Sequence, residues 1–357
     1  MNFTIFGYPK SGKTTLFNLL TGARIEVHAY ETGKTEPHLR TCFVPDARLD
    51  EIWGLYRDRA KKHATMDYTD LAGTSFGGIK NAAYLSYLRK ADGLAHVVRG
   101  FQNEEIPHAK GSIDVARDIT AMEEELILAD LLMVETRLEK LEKEVKGTKS
   151  REGGQELELL RRLKSRFEEG RSVRETGLSP AEEKLTRPFA FLSQKPLFHM
   201  VNVDEKDIPL IETPEKIFEM ENKNTSVLAF CGKIETEILE LDNGEKKIFL
   251  DEYGFKELSA SKFLKASYDL LDVITFFTIG DDEVKAWTIR RGTHAEAAAG
   301  AIHSDIEKGF IRAEVIPWKQ LTTHGSFQKA RDNAAIRLEG KDYIVQDGDV
   351  VYFRFAK

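Results

Sequence analysis

The stretch Gly7-Tyr8-Pro9-Lys10-Ser11-Gly12-Lys13-Thr14, followed by Thr15, decides the fold. It has the spacing of a phosphate-binding loop: a glycine, four residues, then Gly-Lys-Thr. An apolar run at 3–6 precedes it and reads as a short buried strand, and 13–20 read as an amphipathic helix. The chemistry needs these residue types in this order. Glycines let successive main-chain N–H groups turn inward on phosphates, and the helix adds its positive amino end. Lys13 then reaches β- and γ-phosphate oxygens, the Thr14 hydroxyl ligates Mg²⁺, and Thr15 sits near the α-phosphate. The motif therefore predicts a bound nucleoside triphosphate with Mg²⁺.

Working outward, further strands are expected at 66–70, 94–98, 197–203 and 226–230, alternating with helices. That alternation predicts an α/β domain with a mostly parallel sheet and a ligand at the carboxyl ends of its strands. Asp70-Leu-Ala-Gly73 closes the first of these strands. In a nucleotide switch such an Asp holds Mg²⁺ through water, and the glycine N–H senses the γ-phosphate.

Between the two halves, Ile127, Leu131, Val134, Leu138, Leu141 and Val145 recur at steps of four and three, the seam of a coiled coil. Gly147, Gly153 and Gly154 break the pattern, and Leu157, Leu160, Leu163 and Phe167 resume it, with Lys164 diluting the stripe. The reading is an antiparallel helical hairpin inserted over 123–188. It splits a nucleotide-binding domain into 1–122 and 189–274, and a small C-terminal domain of 275–357 follows. The last has short strands at 274–278, 284–289, 313–316 and 350–355 and one helix around 295–306. Lys285, Arg290, Arg291, Arg312 and Arg337 alternate there with His294 and His303, a solvated face by default and an RNA-binding face as the alternative. Trp53, Trp287 and Trp318 read as core anchors.

The chain has 357 residues, 41% hydrophobic and 31% charged, enough for several cores, which excludes wholesale disorder. A net charge of −7 argues against a protein that is basic all over, and no DNA specificity is expected. Cys42 and Cys231 are too few for a disulfide framework or a cysteine zinc site. With no apolar run near the ~20 residues of a membrane span, a cytoplasmic, soluble protein is expected.

The phosphate loop, Asp70-Leu-Ala-Gly73, Ile106-Pro-His-Ala-Lys-Gly111, Asn202-Val-Asp-Glu205, Gly309-Phe-Ile-Arg-Ala-Glu314 and Gly340-Lys-Asp-Tyr-Ile-Val-Gln-Asp-Gly-Asp349 resemble, in order and spacing, the YchF or Obg-like ATPase family. The likeness covers essentially the whole chain. It implies a translation-factor-class G domain, an inserted helical domain, a C-terminal TGS domain of ubiquitin-like β-grasp form, and an NTPase associated with ribosomes or RNA. GTPases carry Asn-Lys-x-Asp where this chain has Asn202, Val203 and Glu205. Losing the paired acceptor Asp removes much guanine preference, so ATP is expected over GTP. Cys231 and Gly232 occupy the loop whose backbone touches the base in related proteins. The Gln that orients water in GTPases is Thr74 here, and the resemblance points to His108 as the group placing the water. It also aligns Lys34 with the first-switch threonine, leaving the adjacent Thr35 as the metal ligand. Lys10 stands where the family has Asn, and its ammonium there would replace a monovalent cation beside the phosphates. These departures keep a second reading open: a nucleotide-gated adaptor that hydrolyses negligibly.

Overall fold

The computed structural model describes all residues except 27–35, 74–78, 80, 109, 148–150, 220–223 and 357. Its strands are β1 (Asn2–Phe6), β2 (His38–Val44), β3 (Ala60–Lys62), β4 (Ala64–Asp70), β5 (Gly93–Gly100), β6 (Leu197–Val203), β7 (Thr225–Phe230), β8 (Val273–Ile279), β9 (Glu283–Arg290), β10 (Phe310–Pro317), β11 (Arg337–Glu339) and β12 (Asp349–Phe355). The chain forms two compact units. One comprises 2–40 and 67–263; the other comprises residue 1, 41–66 and 264–357. Residues 41–66 thus cluster with the C-terminal segment, although the sequence alone groups them with the phosphate loop.

The first unit is α/β. Its sheet has the order β2-β4-β1-β5-β6-β7, and β4, β1, β5, β6 and β7 run parallel. Both faces of a parallel sheet are covered, so its strands need continuous apolar runs, and β5 and β6 are buried almost throughout. The register pairs Ile5 with Asp70, Phe6 with His96 and Arg99 with Asn202. The residues that end β1, β4, β5 and β6 therefore come out along one edge. Phe3, Phe198 and Phe263 pack ring against ring in the core, with centroids 5.0–5.9 Å apart.

The expected hairpin is present and starts earlier than its seam. Its first helix, Val115–Gly147, begins against the sheet, where Met122 and Leu126 join the core formed with Phe6 and Leu94. Farther along, Ile127, Val134, Leu138 and Leu141 meet Leu160, Leu163 and Phe167 of the returning helix, Arg151–Glu168. Gly153 and Gly154 lie inside that helix instead of interrupting it. Each costs about 1 kcal/mol against alanine, less than one buried leucine contributes. Lys164 pairs with Glu135 across the hairpin at 2.9 Å. The root is pinned by Asp130, fully buried, which accepts from the N–H groups of Leu192 (3.0 Å) and Ser193 (2.8 Å).

The second unit is a mixed sheet, order β11-β10-β12-β8-β9-β3. The β8–β9 hairpin, the parallel β8–β12 pair and a helix laid across the sheet give a β-grasp arrangement. That helix, Ala295–Ile302, stops where His303 goes extended, and Ser304–Lys308 forms a separate turn, so the expected single helix is two. Among the described residues no helix is long and apolar enough to cross a membrane.

Candidate functional site

At the carboxyl edge of β1 the chain turns through the phosphate-loop residues and enters the helix Lys13–Thr21. Two glycines are obligatory for this path. Gly7 has φ +141°, and a Cβ there would come within 2.6 Å of the Val97 carbonyl oxygen. Gly12 has φ +102°, and a Cβ there would overlap the Asn202 amide. Lys10 also takes a left-handed conformation, φ +62°, which costs a non-glycine residue about 1–2 kcal/mol. Among the described residues no side chain caps the helix, which leaves its first-turn amides to an anion. The Lys13 ammonium is nearly buried and donates to the Tyr8 carbonyl at 2.8 Å, folding it back over the loop. Tyr8 donates its hydroxyl to Glu125 at 3.2 Å, and Pro9 lies against Gly73.

The Thr14 hydroxyl donates to Asp70 Oδ2 at 2.9 Å. Asp70 is buried at the end of β4, and among the described residues its Oδ1 has no hydrogen-bond partner. Burial raises its carboxyl above the usual range, with the Thr14 hydroxyl and the Lys13 ammonium opposing. His38, at the start of β2, places Nδ1 3.5 Å from the same carboxylate. Sequence reading missed His38 because β2 lacks the apolar alternation of a buried strand: most of His38–Val44 is exposed.

Beside the loop lies a cavity of about 580 Å³. It brings Lys10, Gly12 and Thr15 together with Asn202 and Val203 at the end of β6, Glu205 just after it, and Cys231 and Gly232 after β7. Asn202 is a bridge: its Nδ2 donates to the Ser11 carbonyl at 3.2 Å and its Oδ1 accepts from Gly232 N–H at 3.0 Å. Glu205 pairs with Lys233 at 3.1 Å. Burial pushes the Cys231 thiol up. The cavity also takes in Ile106, which opens the 106–111 motif, and Phe101, Gln102 and Asn103, which sequence reading passed over. They follow the carboxyl end of β5, and the strand-end rule for parallel sheets was the signal that could have found them.

His108 does not line this cavity. Its Nε2 lies 3.1 Å from Asp118 Oδ2, and its Nδ1 accepts from Lys110 N–H at 3.2 Å. Burial lowers its imidazole below the usual range against the pull of Asp118. Thr35, Lys34 and Thr74 lie outside the described residues.

Under the loop runs a buried polar chain. His96, packed against Gly7, faces His199 with their Nδ1 atoms 3.0 Å apart. His199 Nε2 is 3.3 Å from Glu123, which also takes the Arg174 guanidinium. Arg174 in turn donates to the carbonyls of Leu192 and Lys195 at the hairpin root. Burial, then the neighbouring His199 and Lys13, hold His96 well below the usual imidazole range.

The comparisons agree with this geometry. A family model described as a 50S ribosome-binding GTPase matches residues 2–137. The YchF-type GTPase C-terminal model, described as a protein of unknown function, matches 273–356. The chain is 38% identical to the ribosome-binding ATPase YchF of Bacillus subtilis, over 98% of both chains. It is 33% identical to Obg-like ATPase 1 of Oryza sativa subsp. japonica, over 98% of this chain and 91% of that one. The solved YchF GTPase of Schizosaccharomyces pombe superposes with a TM-score of 0.83 at 26% identity, covering 99% of this chain and 97% of that chain. With the phosphate loop, the Thr14–Asp70 pair and relatives matching end to end, the chain belongs to the YchF and Obg-like ATPase family of P-loop nucleoside triphosphatases.

Proposed function

We propose that this protein is a Mg²⁺-dependent ATPase that works as a nucleotide-driven switch on the ribosome or its RNA in the cytoplasm. The observation that carries the reading is the Thr14 hydroxyl held 2.9 Å from Asp70, directly after an uncapped helix start and Lys13. Two hard oxygen donors, one with a buried carboxylate oxygen that has no partner among the described residues, suit Mg²⁺. Thr14 and Asp70 would hold the ion, with Thr35 as a further ligand from the first switch. Bound there, Mg²⁺ supplies neutralisation of the phosphate charge. Lys13 and the first-turn amides bind and orient the triphosphate tail. Gly73, beside Pro9, is the amide that senses the γ-phosphate.

The ATP preference rests on Glu205, whose carboxylate is already committed to Lys233 in place of a paired guanine acceptor. The names of the matched relatives support ATP and the ribosome. GTP is the alternative substrate. His108 is the proposed water-positioning residue, which requires release of its ring from Asp118 and the Lys110 amide. That engagement of both ring nitrogens is also what favours the non-hydrolysing adaptor. The domain partition proposed is a G domain of 1–122 and 189–274, a helical domain of 123–188 and a TGS domain of 275–357.

Competition titration of ATP and GTP with and without Mg²⁺, followed by single-turnover hydrolysis, tests this. ATP should bind at least tenfold tighter than GTP, and Lys13→Ala should lose both binding and turnover. Equal hydrolysis by wild type and His108→Ala would retire His108. A wild-type rate at background would establish the adaptor instead.

A further inference from the structure

A hollow of about 1060 Å³ opens in the first compact unit and shares no residue with the cavity beside the phosphate loop. Its walls are the helix Ala82–Lys90, the first helix of the hairpin and the segment 188–190. It exists because the hairpin helix carries a second apolar stripe. Ile127, Val134, Leu138 and Leu141 are spent on the returning helix. Leu128 and Leu132, one turn apart, line the hollow instead and are 44% and 49% exposed. Leu85, Met133 and Phe189 complete an apolar floor. From Leu128 to Lys140 the helix rises about 18 Å, so the hollow is a groove that could take about three helical turns along its length.

The charged residues lining this groove are four cations and Glu125, whose carboxylate accepts from the Tyr8 hydroxyl. Arg89 lies 3.4 Å from Asp130 and donates to the Phe189 carbonyl at 3.3 Å, and Arg137 pairs with Glu156 at 2.8 Å. Among the described residues Lys90 and Lys140 have no carboxylate partner, and both are exposed. Aliphatic carbon bounded by two such ammonium groups is complementary to apolar anchors flanked by carboxylates. The form of the occupant follows from the walls. Both long walls are helices, whose main-chain groups bond within themselves, so an extended peptide would find no strand edge to join. Phe189, the one ring in the lining, is stacked on Phe191 with centroids 5.1 Å apart, which leaves nucleic-acid bases little to stack on. A flat bilayer would rest on the rim and leave the floor bare. An amphipathic helix offers side chains at one-turn spacing and meets floor and rim together.

We propose that this groove docks an acidic amphipathic helix of a partner protein, with its apolar anchors on Leu128 and Leu132 and its carboxylates on Lys90 and Lys140. The proposal goes beyond the nucleotide reading and does not depend on it. The test is fluorescence anisotropy of the full-length protein with a labelled helical peptide about 16 residues long, with leucines at every third and fourth position and glutamates on the flanks. Wild type should bind it saturably, and should bind the same peptide with lysine for glutamate at least tenfold more weakly. Leu132→Glu should weaken binding at least tenfold. Lys90→Glu with Lys140→Glu should weaken it about threefold or more and remove its salt dependence. Ile248→Glu, 64% exposed and outside the groove, should change nothing. Thermal melts verify that each variant is folded; if Leu132→Glu is not, the lysine pair decides. Absence of saturable binding by wild type overturns the proposal, as does wild-type affinity in the groove variants or equal binding of the lysine peptide. Two other results overturn it by naming another occupant. One is a dimer in sedimentation that Leu132→Glu dissolves; the other is binding to phosphatidylglycerol vesicles that the same variant abolishes while the peptide fails to bind.

Discussion

Asn202→Ala removes a side chain that touches two main-chain groups and leaves both behind. Ser11 C=O loses its 3.2 Å donor and Gly232 N–H loses its 3.0 Å acceptor. Asn202 itself is only 6% exposed, so water replaces neither partner easily. Each stranded buried group costs about 1–3 kcal/mol, and together they cost roughly 2–6 kcal/mol of stability. At about 2–4 °C per kcal/mol, the unfolding midpoint should fall by several degrees or more. The two groups belong to the phosphate loop and to the loop after β7, so nucleotide affinity should fall as well. Because the amide is spent within the protein, ATP and GTP affinities should drop by the same factor. Thermal unfolding and paired ATP and GTP titrations of the variant measure both effects. Asn202→Asp sharpens the comparison, since it keeps an acceptor for Gly232 and sets an oxygen against the Ser11 carbonyl. A variant with an unchanged midpoint and loss of affinity for one nucleotide alone would refute the bridging role and make Asn202 a base reader.

Glu123→Gln should destabilise the protein by about 3–5 kcal/mol at neutral pH, because it strands the buried Arg174 guanidinium; urea unfolding reads this. Burial raises the Glu123 carboxyl, but Arg174 and His199 outweigh it and hold the group below its ordinary value. Its contribution is therefore present above the unfolded carboxylate range and lost as pH falls through the depressed value, a dependence absent from Glu123→Gln. Cys231, 1% exposed with its thiol pushed up by burial, should resist iodoacetamide at pH 8 while Cys42 reacts, as peptide mass mapping would reveal. Gly12→Ala should cost nucleotide binding at least tenfold by titration, through both its φ of +102° and its overlap with Asn202.

Much of this molecule was readable from residues alone where a local rule applies. The phosphate loop, the parallel strands and the hairpin seam each carry a short-range signal: a fixed glycine spacing, a continuous apolar run, a step of four and three. The signal failed where partners are distant in sequence. His38 sits on an exposed strand and matters only because β2 and β4 bring it to Asp70. Asn202 looked like a base-reading residue, and only the fold reveals the two main-chain groups it joins. The grouping of 41–66 with 264–357 left no trace in composition, because it depends on β3 joining the edge of β9.

The buried histidines have one more consequence. With Glu123 ionised against Arg174, His199 presents N–H at Nε2, and of the two facing Nδ1 atoms one carries the hydrogen and the other accepts it. That pair shares a single hydrogen, and an extra proton at His96 would put a net charge where no solvent reaches. The imidazole directly beneath the triphosphate cradle, held well below its usual range by burial, is consequently electrically quiet as the surroundings acidify.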